Sequence, residues 1–219
     1  MGLERLSAST RPAQGRAVIL PIMRRPEPDL EVIRSLLGEA AWRRQGIGGV
    51  EARRLIAACA LAWLAGATQH QLGRLRVCDW LPDEQESVRL RLTDSPDVGV
   101  DAKVRVVPVL PALMRAVKAR LADIPEAGHE SFILGGRSGA SARGFAEQSG
   151  SAITLASEEK VKSLADLAVR FRDYVQWGAG DDLLREWLAN PARTFMTPDH
   201  RALPLDDLRR VMRTWHPGA

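Results

Sequence analysis

The sequence predicts a mainly α fold with a small antiparallel β-hairpin sheet (α+β), and three observations predict it. Most of the chain carries apolar residues at helical spacing, broken by Gly and Pro at intervals typical of short loops. Two segments only, 88–92 and 103–109, alternate apolar and charged residues as half-buried strands do. At 219 residues with 45% hydrophobic and 26% charged residues, the chain is long enough for one well-buried domain with a short appendage.

Taken in order, residues 1–28 are rich in Ser, Arg, Pro and Gly and read as a flexible basic arm. Asp29 is placed to cap a helix whose apolar face holds Leu30, Ile33, Leu36 and Leu37. Residues 45–49 form a turn, and residues 50–66 the most apolar helix of the chain, closed by Gly66. A second helix follows over about 68–76. Residues 88–92 and 103–109 then pair as an antiparallel hairpin with a long tip, the second strand closing at Pro108. Residues 110–121 are helical, with Pro111 tolerated in the first turn. The dense Gly and Ser of residues 135–152 predict a mobile loop. Helices are expected over about 158–177, 181–189 and 205–215, with a loop up to 203. Residues 29–219 thus form a single domain.

No apolar run approaches the roughly 18–20 residues of a membrane helix, and no signal-peptide pattern opens the chain. Cys59 and Cys78, the only cysteines, read as buried reduced thiols, which fits the cytoplasm. The four histidines are scattered without metal-ligand spacing, and no cofactor fingerprint is present, so neither metal nor cofactor is expected. Gly135-Gly136-Arg137-Ser138-Gly139 is either a phosphate cradle, with an unrelated enzyme then in view, or a flexible loop. Residues 1–25 carry a net charge of +4, equal to that of the whole chain, so the basic excess sits in the arm. Arginine outnumbers lysine 27 to 4, which favours bidentate contacts with phosphate or carboxylate.

One stretch carries a resemblance. Gly66-Ala67-Thr68-Gln69-His70-Gln71-Leu72-Gly73-Arg74-Leu75, with Asp79 beyond it, resembles the first catalytic box of tyrosine recombinases (phage integrases), G-L-R-x-x-E-L-x-x-L-x-x-x-D. Gly66, Leu72, Leu75 and Asp79 are in register, but Thr68 stands in the arginine's place and Gln71 in the glutamate's. Arg105-Val106-Val107-Pro108-Val109 is similar to the R-x-V-P-L that ends that family's hairpin. Gly178 and the segment to Asn190 resemble G-x-x-x-x-x-x-x-x-L-L-G-H, with Asn190 at the histidine. Counting back from Gly178, Leu164 and Leu167 fall on the H-x-x-R box, and Asp199 falls on the nucleophilic tyrosine.

The resemblance covers residues 30–215 and implies a tyrosine-recombinase catalytic-domain fold, an integrase-like domain with its chemistry removed. The family's reaction uses two arginines, a histidine and a hairpin lysine around the scissile phosphate, and a tyrosine that attacks it. The only tyrosine here, Tyr174, lies upstream of the expected place and reads as a helix-packing residue. What the resemblance leaves is binding of double-stranded DNA, with Arg74, Arg76, Lys103, Arg105, Arg170 and Arg172 as phosphate contacts; a solvated or ion-paired arginine is the alternative for each.

The expected function is a non-catalytic DNA-binding or accessory protein of a mobile element or plasmid. The alternative is a protein-interaction module, an inactive recombinase paralogue that touches no DNA. Among the six tryptophans, Trp63 and Trp187 belong to the core. Trp215 ends an amphipathic C-terminal helix that packs either on its own domain or on a partner, a second copy or a recombinase.

Overall fold

The computed structural model describes residues 29–81, 87–91, 104–136, 142, 144–178 and 212. Helix α1 (Leu30–Leu36) starts where Asp29 accepts a hydrogen bond from the Val32 amide at 3.2 Å. Asp29 also pairs with Lys160 at 3.0 Å, and that contact holds its carboxyl below the usual carboxylate range. Gly38, in extended backbone, separates α1 from a second helix not anticipated as a distinct element, α2 (Glu39–Arg44). Trp42 is fully buried there, its indole N–H donating to the Leu36 carbonyl at 3.0 Å.

Helix α3 (Gly49–Leu64) is the centre of the molecule. Residues 55–64 are all buried, so it is a core rod rather than a surface helix with one apolar stripe. Helices α2, α5 (Pro111–Leu121) and α7 (Leu164–Gly178) all pack on it. As expected, Pro111 opens α5, where its missing N–H leaves no helical bond unmade. Neither of the two expected thiols is in a disulfide; Cys59 is buried, whereas Cys78 is only half-buried.

The helix expected over 68–76 is much shorter, α4 (Gln69–Leu72). A competing backbone ladder ends it: Val77 N–H donates to Ser131 O at 2.9 Å, Cys78 N–H to His129 O at 3.0 Å, and Ile133 N–H to Leu75 O at 3.0 Å. These long-range bonds within the chain use the groups that further helical turns would need. A 3-10 turn at Val77–Asp79 leads into β1 (Trp80–Leu81), which pairs antiparallel with β2 (Ser87–Arg91). β2 in turn pairs with β3 (Val104–Pro108) in the register Val88 to Val107 and Leu90 to Arg105. The hairpin is as expected within one residue at each end, but the sheet has a third strand. Two residues are too few for alternation to show.

Two further expectations are corrected. Much of the stretch 135–152, expected as a loop, is helical, forming α6 (Phe145–Ala156) with Phe145, Ser149, Ile153 and Ala156 buried along one face. Gly and Ser composition hides its period. Helix α7 starts at Leu164 rather than near 158, because Glu158 and Glu159 both adopt positive φ, 52° and 65°, which no helix accepts. The Ser163 hydroxyl then accepts from the Asp166 amide at 3.2 Å and starts the helix. The expected helix at 181–189 and Trp187 lie outside the described residues. Met212, in the C-terminal segment, is helical and fully buried in the same core, in line with packing on its own domain.

Gly66 decides how α7 sits. Its φ is +61°, and a Cβ placed there would lie 2.3 Å from Cδ1 of Phe171, which is itself fully buried. Nearby, Trp63 and Tyr174 make an edge-to-face pair with centroids 5.9 Å apart.

A Gly66→Ala protein is expected to lose about 2–4 kcal/mol of stability from the left-handed backbone and the overpacking together. Phe171→Ala is expected to lose about 3–5 kcal/mol, and the double variant less than the sum of the two. Urea denaturation checks all three; a Gly66→Ala protein as stable as wild type refutes the constraint. Burial pushes the Cys59 thiol up to about 12. In thiol labelling at mildly alkaline pH, Cys78 is therefore expected to react first and Cys59 only on unfolding.

Candidate nucleic-acid interface

The residues that match the recombinase box are all occupied by local structure. Thr68 is the N-cap of α4: its hydroxyl accepts from the Gln71 amide at 3.3 Å, while Gln71 Oε1 accepts from the Thr68 amide at 3.0 Å. This reciprocal capping box satisfies two backbone donors that the helix cannot. Gln71 is only 3% exposed, so a neutral amide there avoids leaving a buried carboxylate without a cation. Leu72 and Leu75 lie in the core, and buried Asp79 accepts from the Arg76 amide at 3.0 Å.

Leu164 and Leu167, which the resemblance assigns to the H-x-x-R box, are both fully buried and share the inner face of α7 with Phe171. Through Phe171 that face meets Gly66, two residues before Thr68. The Gly66 stretch and α7 are therefore brought together. Asn190 and Asp199 lie outside the described residues.

The candidate phosphate contacts divide into several environments. Arg76 forms an ion pair with Glu130 and lies over the Phe132 ring, 5.6 Å from its centroid. It thereby ties the 3-10 turn to the segment at 129–133. Arg170 bonds Asp166 at 3.0 Å and donates to the Lys160 carbonyl at 2.6 Å, bracing the start of α7. Arg74 is half-buried in the turn after α4. Arg172 is half-buried on α7, with no hydrogen-bond or ion-pair partner among the described residues. Arg105 lies on β3 opposite Leu90, and Lys103 is outside the described residues.

Two arginines that the sequence motifs do not single out stand at the other end of α3. Arg120 is 1% exposed, and its Nε and Nη2 donate to the carbonyls of Ile133, Gly135 and Gly136 at 2.9, 2.6 and 3.2 Å. Arg54 donates from Nε and Nη2 to Leu134 O at 2.9 and 2.7 Å and stacks on the Phe145 ring at 3.8 Å. A signal for Arg120 exists in the sequence: it continues the apolar stripe of Leu113, Ala116 and Val117. Among the described residues, no group of three or more His, Cys, Asp or Glu is placed to hold a metal, and no helix is long and apolar enough to cross a membrane.

Comparison with solved structures settles the architecture. XerA recombinase superposes over 85% of this chain and 64% of its own, with a TM-score of 0.54 and 14% identity. The integrase from mycobacterium phage Brujita superposes over 95% of this chain and 58% of its own, with a TM-score of 0.53 and 16% identity. The fold is that of a tyrosine-recombinase catalytic domain. At such identities the likeness is one of fold alone, and this recombinase-like chain spans only 64% and 58% of the length of those two proteins. No family model and no curated protein sequence matches it.

Because Thr68 acts here as a cap, Thr68→Ala is expected to destabilise the protein by about 1 kcal/mol, and Thr68→Ser to restore nearly all of it. Thermal or urea unfolding of the pair checks this. Equal stability of the Ala and Ser variants counts against the capping role.

Proposed function

We propose that this chain is a non-catalytic protein of recombinase fold that binds double-stranded DNA, an accessory factor of a mobile element or plasmid acting in the cytoplasm. The observation that carries the reading is the state of the first box, where Thr68 and Gln71 cap a helix in the places of an arginine and a glutamate. Leu164 and Leu167, sealed in the core, add to it. Removing one charge-stabilising donor from a phosphoryl-transfer site costs about 10²–10³ in rate and leaves a slow enzyme. Removing the nucleophile as well leaves no covalent route. Asp199, at that nucleophile's place, supports the reading from sequence alone.

Arg105 and Arg172, with Lys103, are the proposed phosphate contacts, and Arg74 is proposed to add to them by giving up a contact of its own. Arg76 and Arg170 join them by exchanging partners. Glu130 is 61% exposed, so its pair with Arg76 is worth at most about 1 kcal/mol and yields to a phosphate. The same ion pairs favour the second reading, a protein-interaction module that touches no DNA, since they neutralise charge that a DNA surface needs.

A duplex titration across a salt series separates the two. Wild type is expected to bind with affinity falling steeply as salt rises. Changing Arg74, Arg76, Arg105 and Arg170 together to Gln is expected to weaken binding and flatten the slope, by up to about 0.9 for each phosphate left without its arginine. No binding at about 50 mM salt sinks the DNA reading and leaves the interaction module. On nicked duplex, no covalent protein–DNA adduct is expected; an adduct overturns the non-catalytic assignment.

A further inference from the structure

A cleft of about 500 Å³ opens at the start of α3, lined by Gly48, Glu51, Arg54, Arg120, Gly135 and Gly136. That volume is in the range of small-ligand pockets. Sixteen residues at about 1.5 Å each place it roughly 24 Å along α3 from the Gly66 junction, so it is separate from the recombinase-like box. The glycine pair that suggests a phosphate cradle in the sequence forms part of its wall.

Two guanidinium groups meet there with too little negative charge. Arg53 is taken by Asp123, whose carboxylate accepts from its Nε at 2.9 and 3.0 Å. Glu51, which is 3.6 Å from Arg54 Nη1 and half open to solvent, is the carboxylate left to the pair. Asp123 acts on Arg120 only through space, and the three arginines together face two carboxylates. The hydrogen bonds of both arginines go from Nε and Nη2 to backbone carbonyls, which absorb donors but not charge. Among the described residues, Nη1 of neither has a hydrogen-bond partner. Burial, and then the charge of Arg54, push the Arg120 pKa down, more than Asp123 and Glu51 push it up.

Both forks are held in place, Arg54 against Phe145 and Arg120 by three carbonyls, so an anion meets donors that are already oriented. The first turn of α3 adds amides with no side-chain cap at Gly48.

We propose that this cleft binds a phosphoryl group, seated between Arg54, Arg120 and the glycine wall of Gly135 and Gly136. A planar, fixed pair of guanidinium groups favours a tetrahedral dianion, which two donors can grip from two sides. Glu51 at the rim repels the anion and weakens its binding. The inference stands apart from the DNA reading, because it concerns the other end of α3.

Calorimetric titration of the whole chain with inorganic pyrophosphate at low salt tests it. Gly48 has extended backbone and open space beside its Cβ position, so Gly48→Asp fits and provides a helix cap while adding a carboxylate to the cleft. That variant is expected to melt no lower than wild type yet bind pyrophosphate at least about tenfold more weakly. Glu51→Gln is expected to bind roughly tenfold more tightly. No binding by wild type, or equal binding by all three proteins, overturns the proposal. Adenosine 5′-monophosphate and a short duplex as parallel titrants distinguish a small ester from a DNA backbone phosphate: Gly48→Asp weakens whichever uses the site, and weakens neither if the inference is wrong.

Discussion

A missing Cβ at Gly66 lets the Phe171 ring fill the corner where the chain leaves α3, and most of the molecule's arrangement depends on that contact. The left-handed backbone turns the chain sharply into α4, and Phe171 closes the space behind the turn. Helix α7 is thereby held along α3, with Trp63 and Tyr174 in edge-to-face contact nearby. Leu164 and Leu167 enter the core on the same face of α7. The glycine and leucines of the box thus have a packing duty that needs no chemistry. A frame of this kind can persist whether or not reactive residues stand in it.

Arginine serves this fold in two ways. On the outside, Arg76 and Arg170 brace a turn and a helix start through ion pairs with Glu130 and Asp166. Inside, Arg54 and Arg120 hold the carbonyls of residues 133–136, where no helix or strand is available to pair them. A lysine offers a single point of charge and lacks the planar fork needed to bridge successive carbonyls. The preference for Arg over Lys, which in the sequence alone suggests phosphate, is in part a structural one.

The elements legible in the sequence are those marked by a local device: the Asp29 cap, the Gly66 stop, the alternating strands and Pro111 at a helix start. The others are decided by something distant or masked by composition. Helix α4 is cut short by pairing with a segment more than fifty residues on, which no local window contains. Helix α6 is hidden by glycines and serines, although Phe145, Ile153 and Ala156 keep its period. For the site, the sequence locates the Gly66 stretch and the candidate arginines but not their neighbours. That Arg76 meets Glu130 is a fact of tertiary contact. Arg120 is legible in principle, as a charge on an apolar stripe, yet a buried arginine runs against expectation.

The surface of α3 constrains how such a protein can diverge. Ala52, Ala57, Ala58, Ala60 and Ala62 are all buried, and residues this small let neighbouring helices come close. Even one added methylene along the rod must displace a neighbouring helix. Tolerance for change therefore lies at its two ends, where backbone turns and polar groups replace close packing. One end carries the Gly66 junction and the other the arginine cleft. Novelty in this fold is channelled to the tips of a rod whose middle is closed to it.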